Sequence, residues 1–466
     1  MTENQIPTAT SEPRSSGGRS LVLVVVVLFG VALALGVVGI RRLVGDNSTL
    51  GATAGTTATK TVEVELGELY IRASSTEVAA GERIVFNVRN SGVAQHDFAV
   101  RGGGPATPLL NGGATARLEA GPFDSDVEFI CRVPGHVEGG MTMTLAVTGA
   151  KASPKPSAGE GKVDAGAKID FSAAPPTGWQ ARDPRLPVAP TARVHRITMR
   201  AIEKVVEVAP GVKQEVWTFN GVAPGPVLRG RVGDIFEVTL RNEGKLGHSI
   251  DFHSSEVAWN DEMRTIGPGE SLVYRYEAKH SGVFMYHCGT APALHHIGNG
   301  MFGAIVIDPP NLPPVDHEYL LVQSELYTGP QSAPGDLTKM QQSTWDAVVF
   351  NGYVNQYLHK PIRVEPGQRV RVWVLDAGPN ENSSFHIVGT IFDTLYKEGA
   401  YQLRPDASRG GAQSLDLQPA QGGFVEFTFD EAGLYPIVTH KFANVGIGAL
   451  GLFQAGEVAA GKAGGH

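Results

Sequence analysis

Cysteine is almost missing from this sequence: its 466 residues contain two, Cys131 and Cys288. So few thiols exclude a disulfide-stapled scaffold. A single bridge between the two is one reading for an exported chain. Each cysteine, however, sits in its own cluster of histidine and methionine, which favours two separate thiolates. Basic charge is also short. The formal net charge is -8, so there is no electrostatic footprint for nucleic acid and that partner class drops out. Convincing helical periodicity is absent beyond one apolar run, whereas 58 glycines and 30 prolines supply many turns. That balance points to an all-β protein. The length is too great for one core, and about two to four domains are expected.

Long hydrophobic runs are confined to the amino terminus. Residues 21–40, LVLVVVVLFGVALALGVVGI, are uncharged and long enough to span a bilayer as a helix. Arg14 and Arg19 precede the run while Arg41 and Arg42 follow it, so flanking charge does not orient it. A cleaved signal peptide is the rival, but no small-residue cleavage site follows directly. The expected organisation is a cytoplasmic tail (1–19), a transmembrane anchor (20–42) and a linker (43–62). A first folded unit (63–150), an Ala/Gly/Pro/Lys-rich linker (151–187) and two more units (188–312 and 313–458) follow. With metal-bearing units, the expected location is the cell membrane, single-pass, with the folded bulk on the extracytoplasmic face.

A pattern recurs three times in the folded parts. The copies begin at AAGERIVFNVRNSGVAQHDF (79–98), GRVGDIFEVTLRNEGKLGHSIDF (230–252) and VEPGQRVRVWVLDAGPNENSSFHIV (364–388). Each has a glycine turn, an alternating strand such as Val370/Val372/Val374, and a loop reaching a histidine: His96, His248 or His386. Period-two alternation predicts one face in a core and one in water. Each copy has a later strand–loop–strand partner, so three tandem Greek-key β-sandwiches are expected. GIGALG (446–451) fits a nucleotide-loop pattern, but no helix follows, and it reads as strand glycines.

The chemistry lies in the loops. Cys131, His136 and Met141 have a C-x4-H-x4-M spacing, with His96 upstream. Two imidazoles and a thiolate in a plane, with a weak axial thioether, form a blue-copper electron-transfer site. A buried Cys and Met beside two loop histidines is the plain structural alternative, which four correct ligand types outweigh. YHCGTAPALHHIGNGM (286–301) repeats the set with His248 upstream, Cys288 and Met301. Of the adjacent His295 and His296, the five-residue step to Met301 selects His296, matching His136 to Met141. Asp251, His253 and His287 have no counterparts in the first unit. On a strand, adjacent His287 and Cys288 point to opposite faces, which places one metal on each side. The third unit lacks cysteine but keeps His386 and His440, and His440 is the natural third imidazole for a site with an open position. Asp251 and His386 are candidates for proton handling. Taken singly, each is as readily a strand-end or core residue.

These motifs resemble the copper-containing nitrite reductases over residues 190–456, roughly the last two units. The resemblance implies trimers of two-cupredoxin subunits with type 1 copper in the first cupredoxin and type 2 copper between subunits. It makes His248, Cys288, His296 and Met301 type 1 ligands, and His253, His287 and His440 type 2 ligands. Asp251 and His386 become catalytic, Val388 sits at the apolar position over the copper, and Gln413 at the position supporting His386. The short Cys-to-His loop is similar to that of the outer-membrane-type subgroup. The implied reaction is reduction of nitrite to nitric oxide, with electrons from a small redox protein such as a cytochrome c or cupredoxin. The first unit, with His96, Cys131, His136 and Met141, resembles cupredoxins tethered to some family members as electron relays. Residues 254–267, SSEVAWNDEMRTIG, depart from the family's glycine- and alanine-rich turn, which leaves the substrate pocket least defined.

Two rivals remain. A laccase-like multicopper oxidase needs H-x-H pairs and H-C-H, whereas His248 and His253 are five apart and Gly289 follows Cys288. A membrane-anchored copper electron carrier would use Cys131 and Cys288 but leave His253, His287 and His440 without purpose.

Overall fold

The computed structural model describes residues 59–458 except 68–69, 93, 134–135, 138–140, 150–165, 261 and 406–409. The apolar run 21–40 expected to be an anchor lies outside the described residues, as does much of the connector. Among the described residues no helix is long and apolar enough to cross a membrane.

Six sheets pair into three sandwiches, and one wiring rule serves all of them. In each sheet the strand nearest the amino terminus of its unit lies parallel to a later strand, and the other neighbours are antiparallel. In the first sandwich Thr59–Gly67 runs beside Arg83–Asn90, with Val62, Val64 and Leu66 inward and Glu63 and Glu65 outward. Its core is closed by Phe86, Phe98 and Phe129, the last two stacked at 4.4 Å. The second sandwich holds Val194–Ala209 beside Ile235–Asn242, and the third holds His317–Leu326 beside Arg369–Asp376. The fold is therefore all-β and cupredoxin-like, as the repeat implied.

One expectation fails in the third sandwich. Val370, Val372 and Val374 do face its core, but the opposite face of that strand is not in water. Trp373 and Leu375 pack with Val283, Met285 and Phe302 of the second sandwich. Arg371, 1% exposed, is carried into this layer by its Nε bond to Glu426 at 2.7 Å and its Nη1 bond to Glu318 at 2.8 Å. Alternation survives in the sequence because a paired guanidinium is tolerated where a bare charge is not. Arg371→Ala is expected to destabilise the protein by about 2 kcal/mol, because it leaves Glu318 with Arg229 alone and Glu426 with Arg369 alone in this buried layer. A lowered urea midpoint would show it, and an unchanged midpoint would refute it.

GIGALG is also not a run of strand glycines. It starts in the 3-10 turn Phe442–Ile447, passes Gly448 at φ 110°, and only then enters strand Leu450–Ala455. A Cβ at Gly448 would meet the Val348 carbonyl at 2.8 Å, which explains a glycine there.

Candidate metal centres

Both cysteines are free and buried, so the disulfide reading is set aside. In the first sandwich Cys131 Sγ lies 3.4 Å from His136 Nδ1 and 4.0 Å from His96 Nδ1, and the two Nδ1 atoms are 3.1 Å apart. Met141 is fully buried and its amide donates to the His136 carbonyl at 2.8 Å. The second sandwich repeats this geometry. Cys288 Sγ is 3.3 Å from His296 Nδ1 and 3.9 Å from His248 Nδ1, and the Met301 amide donates to the His296 carbonyl at 3.0 Å. Converging nitrogens around a buried sulfur, with a buried thioether tied into the same loop, suit copper's preference for soft and imidazole donors.

The doubled histidine is resolved by a short helix, Ala293–Gly298. Adjacent helical residues diverge by about 100°. His296 therefore turns to Cys288 while His295 turns away to the Gly335 carbonyl, 3.0 Å from its Nε2. Trp217 packs on both rings, with centroids 4.5 and 4.6 Å away.

His287 ends strand Gly282–His287, in register with Asp251. Its Nδ1 bonds the Cys288 carbonyl at 3.0 Å, which leaves Nε2 as the outward lone pair. That Nε2 is 2.9 Å from His253 Nε2, with the rings at 85°. Asp251 Oδ2 lies 3.7 Å from His287 Nε2 and 4.0 Å from His253 Nε2. Two imidazole lone pairs and a carboxylate aimed at one point make a metal-ligand set, and burial and the His287 ring lower the pKa of His253. Cys288, one residue on, faces the other side of the chain.

His386 and His440 lie elsewhere. His386 lies on strand Ser383–Ile387 and His440 just past the adjacent strand Gly433–Thr439, with ring centroids 4.9 Å apart, and the His440 amide donates to the Ser384 carbonyl at 2.8 Å. Neither belongs to the cluster of Asp251, His253 and His287, whose ligand atoms lie within 4.8 Å of one another. One chain thus offers two imidazoles there and holds His440 exposed beside Phe442, itself 59% exposed. His386 Nδ1 donates to the Gln413 backbone carbonyl at 2.5 Å. Contact between His386 and position 413 is therefore made through the main chain of Gln413. Val388 is half-buried just beyond the same strand.

A family model described as multicopper oxidase matches residues 201–312. The copper-containing nitrite reductase of Neisseria gonorrhoeae is 35% identical over 267 residues, 55% of this chain and 67% of that protein. The solved copper nitrite reductase from Nitrosomonas europaea is 35% identical with a TM-score of 0.52, covering 59% of this chain and 98% of that one. The chain belongs to the copper-containing nitrite reductase family. A second solved relative, the copper-containing nitrite reductase from Thermus scotoductus, is 30% identical with a TM-score of 0.51 and covers 56% of this chain and 62% of its own.

Within this family member one residue escaped the sequence reading. Glu203 Oε1 accepts from His248 Nε2 at 2.9 Å, which fixes the ring so that Nδ1 faces Cys288. Burial opposes ionisation of both partners, yet His248 and the Lys245 amide draw Glu203 down to about 2, while Cys288 and then Glu203 raise His248 to about 9. Burial likewise resists a Cys288 thiolate, but His296 and His248 hold its pKa well below the usual value. Cys131 shows the reverse, pushed up to about 12 chiefly by burial.

The His440 loop is anchored from behind. Lys441 pairs with Glu381, whose other oxygen takes Asn444 Nδ2 at 3.1 Å, and the Glu381 amide donates to Glu325 at 3.1 Å. Burial pushes Glu325 up to about 7 and Asp376 well above the carboxylate range. The raised folded-state value means Glu325 favours folding fully below its ordinary value of 4.5, and that contribution is lost as pH rises through about 7. Glu325→Gln is expected to shrink the fall in unfolding free energy across this window, read from urea titrations, by up to about 3 kcal/mol. Parallel wild-type and variant curves would refute this.

Proposed function

We propose that this chain reduces nitrite to nitric oxide and water, using one electron and two protons. The observation that carries the reading is the single step from His287 to Cys288. One backbone position puts an imidazole on a histidine–carboxylate cluster and the next puts sulfur on a His2Met set. His248, Cys288, His296 and Met301 would hold a type 1 copper, and His96, Cys131, His136 and Met141 a second one. His253 and His287 would hold a type 2 copper with His440 of the partner subunit. When bound, these metals supply one-electron transfer and a Lewis-acidic position for nitrite.

This chain's own groups do the rest. Asp251 Oδ2, half-exposed beside both Nε2 atoms, would hand a proton to a nitrite oxygen. His386, oriented through Gln413, would supply the second from the partner's face. Val388 would limit the space above the bound anion. Separation of His440 from His253 and His287 within one chain supports completion of the site by a neighbour, and a head-to-tail homotrimer closes into a ring that completes every site. The first sandwich would act as a tethered relay fed by a small redox protein, with the run 21–40 anchoring it to the membrane and the copper units outside the cytoplasm.

The test is nitrite-dependent nitric oxide formation by the copper-loaded full chain with a small-molecule reductant. Two blue centres with no type 2 signal and no nitric oxide would sink the reading in favour of an electron carrier. Among the described residues, three ligand clusters occur, and none holds the histidine pairs of a trinuclear oxidase site.

A further inference from the structure

The two His2CysMet sets are not merely on one chain; their open edges meet. Gln95, Leu109 and His136 of the first sandwich and Leu246, Pro292 and His296 of the second line one cavity of about 20 Å³. That volume admits about one water molecule. His136 and His296, the ligands carried on the Cys-to-Met loops, are 1% and 4% exposed. Equivalent positions of the repeat face each other. Gln95 precedes His96, and its side chain lies over Gly247, which precedes His248: a Cβ built there would sit 3.7 Å from Gln95 Oε1. Gly267, beside the His248 bridge to Ile266, approaches Gln95 Nε2 in the same way, at 3.5 Å. A Cβ at either glycine would thus touch, at ordinary van der Waals distance, the glutamine that crosses between the sandwiches.

We propose that this face is an electron junction between His136 and His296, and that the first sandwich occupies the core's donor-docking surface permanently. Resting on the relay reading above, this adds the route and its consequence. An external one-electron donor protein has no access to the His296 edge and must deliver to the first sandwich. One electron then passes across the junction: the first site is oxidised by one electron, the second is reduced by one, and no proton or atom moves.

Leu109, 44% exposed yet on the cavity wall, is the residue to change, since it holds no metal and its loss leaves the sandwich core intact. In the full-length, metal-free chain, Leu109→Glu should speed amide hydrogen exchange over 246–247 and 290–296, whereas Leu109→Met should not. In the copper-loaded chain, electron equilibration between the two blue sites after pulse radiolysis should slow by about tenfold or more in Leu109→Glu, because a carboxylate on this narrow cavity wall keeps its hydration and draws water between the two faces. Leu109→Met should restore it. Unchanged exchange and unchanged equilibration in Leu109→Glu would overturn the junction. Nitric oxide formation with a small-molecule reductant reports separately on the catalytic reading. Its absence alongside fast equilibration would refute that reading and leave the junction standing.

Discussion

His253→Ala is expected to abolish nitric oxide formation while leaving both blue absorptions in place. Within one chain the cluster has two imidazoles, and their Nε2 atoms are 2.9 Å apart. Removing one leaves His287, Asp251 and whatever a neighbouring subunit adds. Outer-sphere partners of metals are worth about 10- to 100-fold in affinity or activity, and a direct ligand should exceed that. The variant should fold, because His253 is exposed, its ring meets His287 and, at 4.0 Å, Asp251, and its backbone amide still ties to the Met285 carbonyl. Type 2 copper content by electron paramagnetic resonance, with nitric oxide release, is the measurement. Full activity in this variant would remove His253 from the site.

Cys288→Ser should give the complementary loss. The sulfur is the one atom common to the contacts with His248, His296 and the Ser249 amide, at 3.9, 3.3 and 3.3 Å. A serine hydroxyl neither ionises there nor gives the thiolate charge-transfer band. About half of the blue absorption should vanish, with the remainder belonging to Cys131. Turnover driven through the first sandwich should fall by at least about a hundredfold, while type 2 copper remains. Retention of all blue intensity would mean that Cys131 carries it alone.

These effects rest on parts of the molecule that sequence shows unequally. Spacing showed the loops: the five-residue step from His to Met is the same hydrogen-bonded turn in both sandwiches. It also placed His287 and Cys288 on opposite sides, because a strand allows nothing else. Glu203 was invisible. It reaches His248 from 45 residues away across a sheet, and no local pattern marks it. The buried back of Arg369–Asp376 was hidden because Arg371 reads as a solvent residue until its partners at Glu318 and Glu426 are known. The manner in which Gln413 meets His386 was hidden for a related reason: a backbone carbonyl leaves no trace in residue identity. The approach of Gln95 to Gly247 joins two units that the sequence could only count.

That approach changes the order of the kinetics. A free donor meets an enzyme at a rate set by both concentrations, but a donor already seated beside its acceptor has an effective concentration fixed by covalent linkage. Exchange between the two sulfur-bearing sites should then be unimolecular and indifferent to dilution. Crowding, scarcity of protein or competition among soluble carriers would act only on the first delivery, and never on the second.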